Sequence, residues 1–150
     1  MDQKDLIIKK TFTIAYQNHQ KSNFKVAENL YKKILNASPN FAGVHNNLGM
    51  MYKELEEYKK AIICYEKAIQ IDPNYGHVYY NLGNILQELS ELQKAKSCYE
   101  KLLNLDPTYK KGYSGYGKLL LKITQYNKGL AYIRKGDGVI RFTQKSVKII

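Results

Sequence analysis

The sequence predicts an all-α solenoid of stacked helix pairs, and three observations predict it. The only three prolines, Pro39, Pro73 and Pro107, stand 34 residues apart, and a fixed period of that order marks a chain built from copies of one supersecondary unit. Small and bulky residues recur with the same period. Leu48-Gly49 aligns with Leu82-Gly83, with Ile14-Ala15 before them and with Tyr116-Gly117 after them. Further along each copy come Ala27, Ala61, Ala95 and Gly129, then Tyr31, Tyr65, Tyr99 and Ile133, then Ile34, Ala68, Leu102 and Gly136. Inside each copy the apolar residues keep three- and four-residue spacing, which is the period of a helix face and not of a strand.

Each copy reads as two helices. In the first, residues 6–19 carry a rough stripe of Leu6, Ile7, Phe12, Ile14 and Ala15, Ser22-Asn23 is the turn with Asn23 as N-cap, and residues 24–37 carry Ala27, Leu30, Tyr31 and Ile34 on one face. The second copy spans helices at 41–55 and 58–71 around a turn at Glu56-Glu57, and the third spans 75–89 and 92–105 around Ser90-Glu91. Small residues on the first helix (Gly49, Gly83) facing small residues on the second (Ala61, Ala95) let the backbones approach, with Tyr65 and Tyr99 filling the flank. Asp72-Pro73 and Asp106-Pro107 separate copies, because the residue before proline avoids helical angles while proline suits a first helical turn. The fourth copy, 109–123 and 126–135, is degenerate: Gly112, Gly115 and Gly117 crowd its first helix, each at a cost of about 1 kcal/mol against alanine. That glycine cluster reads as tight helix packing. Gly136-Asp137-Gly138 marks a stop, and residues 139–143 have strand-like composition.

The pattern resembles the tetratricopeptide repeat over roughly residues 8–141. The family's tryptophan position departs from it, holding Thr11, His45, Tyr79 and Tyr113. The resemblance implies a right-handed superhelix with repeats at about 8–41, 42–75, 76–109 and 110–136, followed by a basic and apolar tail at 137–150. It also implies a protein-interaction scaffold whose first helices line a concave groove for an extended partner.

Other function classes find little support. No apolar run approaches the roughly 18–20 residues that span a bilayer, and the first residues hold no apolar signal core, so a cytoplasmic setting is expected. Cys64 and Cys98, one period apart on second helices, are expected reduced, since packed helix axes stand farther apart than a disulfide allows. His19, His45 and His77 occupy three different repeat positions and form no metal spacing. Phosphate loops, nucleophile motifs and helical histidine pairs are absent from the sequence, so neither catalysis nor a cofactor is expected. The net charge of +11 is uneven, with +2 on residues 1–107 and +9 on 108–150, which would suit an acidic neighbour.

The expected groove residues are Phe12, Asn47, Lys53, His77, Tyr80, Asn81, Asn84, Lys111 and Lys118, with Tyr16, Gln87 and Ser114 nearby. Asn47 and Asn81 repeat at one period, and an amide that both donates and accepts can pair with a peptide unit of any sequence. Their Asn-Leu-Gly setting resembles the asparagine ladder in the repeat arm of O-linked N-acetylglucosamine transferase. Asn47 also matches an asparagine of the carboxylate-clamp domains, but Phe12, Tyr16, His77 and Asn81 stand where that clamp has lysine, asparagine, lysine and arginine, so a chaperone-tail clamp is not expected. Tyr80 and Phe12 are expected to give apolar contact, and Lys53, Lys111 and Lys118 to meet anionic groups. Two alternatives stand beside the scaffold: the repeat arm of a larger enzyme, a glycosyltransferase or an oxygenase, and an anionic-surface or nucleic-acid binder that interleaves lysines with Tyr109, Tyr113, Tyr116 and Tyr126, although the helical spacing of these tyrosines fits core packing better. The apolar tail residues Val139, Ile140, Phe142, Val147, Ile149 and Ile150 are expected to cover the terminal face, to pair two chains as a homodimer, or to form a seam to a further domain.

Overall fold

The computed structural model describes residues 3–138 in full and the backbone of 140–143 and 146–149. The chain divides into two compact units, Met1–Pro73 and Asn74–Ile150. The first holds α1 (Gln3–Gln20), α2 (Phe24–Ala37), α3 (Ala42–Glu54) and α4 (Tyr58–Ile71). The second holds α5 (Gly76–Glu88), α6 (Leu92–Leu105), α7 (Lys110–Lys122) and α8 (Tyr126–Asp137), followed by β1 (Ile140–Thr143) and β2 (Ser146–Ile149). Consecutive helices pack as antiparallel pairs, α1 with α2, α3 with α4, α5 with α6 and α7 with α8. The second helices of the first three repeats have the expected limits, and α8 runs two residues past 135.

The turn inside every pair is built the same way. In the first, the Asn23 amide donates to the Asn18 carbonyl at 2.9 Å and the Ser22 amide to the His19 carbonyl at 2.9 Å, the two bonds of a Schellman motif. The same pair of bonds recurs for Glu57 and Glu56, Glu91 and Ser90, and Gln125 and Thr124. Such a motif needs a left-handed residue, and Ser22, Glu56, Ser90 and Thr124, again 34 apart, have φ of 59°, 58°, 62° and 64°. None is glycine. Thr124 is the costliest, because a β-branched side chain crowds the backbone most in this conformation. Thr124→Gly is therefore expected to stabilise the protein by about 0.5–1 kcal/mol, the left-handed penalty less glycine's extra chain entropy, read as a raised midpoint in urea. Asn23 does occupy the position before α2, but its side chain makes no capping bond and instead donates to Asn18 Oδ1 at 3.3 Å.

The prolines end the second helices as expected but do not stand in the first turn of the next ones, since α3, α5 and α7 begin three residues later, at Ala42, Gly76 and Lys110. The last bonds of α2, α4 and α6 run from the amides of Ser38, Asp72 and Asp106 to Ile34, Ala68 and Leu102 at 2.8–2.9 Å, and the proline that follows each lacks an amide to continue the ladder. Asp106 adds an Asx turn, accepting from the Thr108 amide at 2.9 Å and its hydroxyl at 2.6 Å.

In each of the first three pairs the core is built on a tyrosine of the second helix. Tyr31, Tyr65 and Tyr99 are fully buried, as are Ala27, Ala61 and Ala95. The tyrosine ring covers the first-helix glycine directly: a Cβ on Gly49 would lie 2.6 Å from Tyr65 Cε1, and one on Gly83 would lie 3.2 Å from Tyr99 Cε1. In the fourth repeat Ile133 replaces the ring, and the helices close further. A Cβ on Gly117 would stand 2.8 Å from both the Gly129 carbonyl oxygen and the Ile133 amide nitrogen. The glycines of the degenerate repeat are thus packing residues, Gly112 against Leu102 and Gly115 against Tyr99. Gly136 lies within α8 against Ser114 and the Lys110 carbonyl and does not end the helix.

Helix α1 differs from the expected stripe. Only Ala15 and His19 are buried along it, while Leu6, Ile7 and Ile14 are 39%, 55% and 50% exposed. Within its unit α1 packs on α2 and lightly on α3, so one narrow face is covered. The strand-like composition at 139–143 corresponds to β1, which pairs antiparallel with β2, Arg141 opposite Lys148 and Phe142 opposite Val147. The expectation that the apolar side chains of this tail cover a face, pair two chains or meet another domain lies outside the described residues. Both cysteines are free, and burial pushes the Cys64 thiol up to about 11.

Candidate peptide-binding faces

In the first unit, several expected groove residues are engaged in packing. Phe12 stacks on Phe41, centroids 5.6 Å apart at 13°, and meets Tyr31 edge-on at 6.1 Å. This ties α1 to the start of α3 and leaves the Phe12 ring half-buried. Asn47 is only 9% exposed. The Tyr31 hydroxyl is buried without a hydrogen-bond partner, and burial raises its pKa to about 12. Lys53 is half-buried.

Sequence reasoning missed a polar pair in the same unit. His19 is buried, rests edge-on against Phe24 and Tyr31, and brings Nε2 to 3.3 Å from Glu54 Oε1. A cavity of about 340 Å³ opens beside them, lined also by Tyr16, Gln20 and Met50. Position 19 precedes the Schellman turn, where the other repeats have Lys53, Gln87 and Leu121, so no shared residue type signalled it.

The second unit assembles the clearer site. His77, Tyr80 and Asn84 share one face of α5 by three- and four-residue spacing. Tyr109, just before α7, closes on them: its ring centroid is 5.5 Å from Tyr80 and 6.0 Å from His77, and its hydroxyl is 2.8 Å from His77 Nδ1. His77 is held below the ordinary histidine pKa, first by desolvation and then by the Lys111 charge. The imidazole is therefore neutral at pH 7, and in the tautomer protonated at Nε2 the Tyr109 hydroxyl donates to Nδ1 while Nε2–H remains a donor. The Tyr99 hydroxyl donates to Asn84 Oδ1 at 2.7 Å and more weakly to Gln87 Oε1 at 3.3 Å. That uses the Asn84 acceptor and leaves its NH₂ for a ligand. Asn81 is half-buried, and Lys111 and Lys118 are exposed.

Further positions of this unit are engaged in packing or in the cluster. Ser114 is buried, bonding to the Lys110 carbonyl at 3.3 Å and to the Asp137 carboxylate, so it pins α7 to the end of α8. Tyr113 and Tyr116 are core residues, Tyr113 accepting from Lys135 Nζ at 2.6 Å and Tyr116 donating to Glu100 Oε1 at 2.6 Å. Neither interleaves with lysines on a surface, and of the four tyrosines considered for nucleic acid only Tyr126 is strongly exposed. Tyr109 belongs to the His77 cluster, which the sequence did not indicate because it stands outside the helix.

The His77 cluster carries a pH signature. Its folded pKa is lowered, so between that value and the unfolded value of about 6.5 the unfolded chain binds more protons. Stability is expected to fall as pH drops through this window. An NMR titration should place the His77 midpoint below about 6.5, and Lys111→Gln should move it part of the way back.

Among the described residues no helix is long and apolar enough to cross a membrane, and no three His, Cys, Asp or Glu side chains are placed to hold a metal. Two tetratricopeptide repeat family models match, at residues 42–75 and 64–97. No curated protein matches the chain. Solved structures do. The crystal structure of MamA aligns at TM-score 0.79 and 21% identity, over 86% of this chain and 75% of its own. The first TPR of Spaghetti (RPAP3), bound to an HSP90 peptide, aligns at TM-score 0.74 and 21% identity, over 83% and 96%. An O-GlcNAc transferase mutant from Thermobaculum terrenum aligns at TM-score 0.73 and 22% identity, over 80% of this chain and 23% of that one. With the 34-residue period, the four like-built turns and the tyrosine-over-glycine packing, these matches show that residues 42–97 are tetratricopeptide repeats within an all-α helical-repeat chain.

Proposed function

We propose that the chain binds an extended, acidic segment of a protein partner on the first-helix faces, with the His77, Tyr80, Asn84, Tyr109 and Lys111 cluster as its main contact. The observation that carries this is the sign of the polar groups. With His77 in the tautomer protonated at Nε2, its Nε2–H, the Asn84 NH₂ and the Lys111 ammonium are all donors, arranged around two tyrosine rings. Such a set favours backbone carbonyls and carboxylates, and the aromatic rings give contact area at low entropy cost. Lys118, Lys122 and the +9 charge of residues 108–150 add long-range attraction. The Spaghetti domain, with its bound HSP90 peptide SRMEEVD, shows that this fold accommodates a short peptide. In this proposal the scaffold acts by binding alone, in a cytoplasmic setting.

Selection of a displayed random-peptide library on the purified chain tests it. Selected peptides should be enriched in Asp and Glu, and both Tyr80→Ala and Lys111→Gln should weaken them about tenfold or more by titration calorimetry, which corresponds to about 1.4 kcal/mol. Peptides without acidic enrichment, or indifferent to both variants, would overturn the assignment. Asn47→Ala is expected to lower the melting temperature as well as binding, because Asn47 is buried.

A further inference from the structure

We propose that the outer side of the first unit is a second docking site, for an acidic protein segment that inserts one bulky apolar side chain between α2 and α4. An open cleft of about 570 Å³ lies there, lined by Leu35, Leu48, Ile63 and Cys64, with Lys32 on α2 and Lys67 and Glu66 on α4 as its charged lining. Leu48 is buried, while Ile63 is 65% exposed, the most exposed large apolar side chain among the described residues. A helix surface in water gains nothing from an isoleucine held there, whereas a partner's side chain laid against it removes apolar area from water at about 25 cal/mol per Å². The Cys64 thiol stays protonated in the cleft because burial raises its pKa to about 11, so it contributes an apolar wall and no charge.

The charge around the cleft selects the occupant. Helices α2 and α4 carry Lys25, Lys32, Lys33, Lys59, Lys60 and Lys67, all exposed, against two glutamates. Glu28 is engaged by Lys32 Nζ at 2.5 Å and by the Tyr52 hydroxyl at 2.7 Å, and these bonds hold its pKa low. Glu66 is the other. The net +2 of residues 1–107 conceals this face: Glu57, just before α4, pairs with Lys60, and most of the other acidic residues of the segment lie off these two helices. An apolar anchor flanked by carboxylates complements an apolar cleft between lysines, the attraction speeding encounter and the anchor slowing release. Because the cleft is lined only by residues of α2, α3 and α4 in the first unit, it shares no residue with the His77 cluster, and its test does not depend on that assignment.

The probe is the peptide acetyl-Glu-Glu-Leu-Phe-Glu-Glu-amide, titrated into the methyl-labelled full chain and followed by NMR. Saturable shifts are expected at the Leu35, Leu48 and Ile63 methyls. Ile63→Glu and Lys67→Glu, both at exposed positions, should leave the melting temperature unchanged and weaken the probe at least tenfold, whereas Tyr80→Ala should not affect these shifts. The same peptide with glutamine for glutamate should bind at least fivefold more weakly. Absence of saturable shifts at these methyls, equal binding of the glutamine peptide, or an unchanged affinity in both charge variants overturns the proposal. So does binding of phosphatidylserine vesicles through Ile63 without binding of the peptide, which would make the surface a lipid contact.

Discussion

Replacing Tyr65 by alanine is expected to lower the unfolding free energy by about 3–5 kcal/mol, the range for removing a buried aromatic ring. Tyr65 is fully buried on α4, and its ring occupies the space above Gly49 on α3. Truncation leaves a cavity at the centre of the pair, and two backbones already held apart by their own helices cannot collapse into it. Urea unfolding followed by circular dichroism reads the effect, and a change near zero would place Tyr65 outside the core. Tyr65→Phe separates ring from hydroxyl. The Tyr65 hydroxyl is buried without a hydrogen-bond partner, and desolvation raises its pKa well above the ordinary tyrosine value, so its removal should be neutral or slightly stabilising. Tyr99→Phe, by contrast, loses the bond to Asn84 and should cost about 1 kcal/mol.

Gly117→Ala is expected to destabilise by about 1–3 kcal/mol, although alanine favours a helix over glycine by about 1 kcal/mol. The added Cβ would stand 2.8 Å from the Gly129 carbonyl oxygen and from the Ile133 amide nitrogen. Both are backbone atoms of α8, which cannot swing aside as a flexible side chain would. The clash must push α7 and α8 apart, straining the Ser114 contact with Asp137 and the Lys135 bond to Tyr113. Gly43→Ala is the control: its Cβ would meet only the Phe41 ring, at 3.3 Å, so the change should be close to neutral. Equal melting temperatures for the two variants would show that α7 and α8 are less closely packed than described.

What the sequence determined by itself was everything that depends on local rules repeated along the chain. Helix limits followed from proline, which ends a hydrogen-bond ladder wherever it stands, and from apolar spacing, which one helix face must satisfy to be buried at all. The pairing of helices followed from small residues opposite large ones. Only tertiary structure decided which members of a repeated position do which task. Asn47 and Asn81 share one repeat position, yet Asn47 is buried and Asn81 half-buried, and in the second unit it is Asn84, three residues on, that Tyr99 fixes with its NH₂ to spare. Phe12 was legible as apolar, but its stacking on Phe41 depends on a contact 29 residues away in sequence. Tyr109 joined the His77 cluster because the chain entering α7 passes the start of α5. The basic outer face of the first unit was likewise hidden, since a charge count runs along the chain, whereas a partner meets residues that helices α2 and α4 bring side by side.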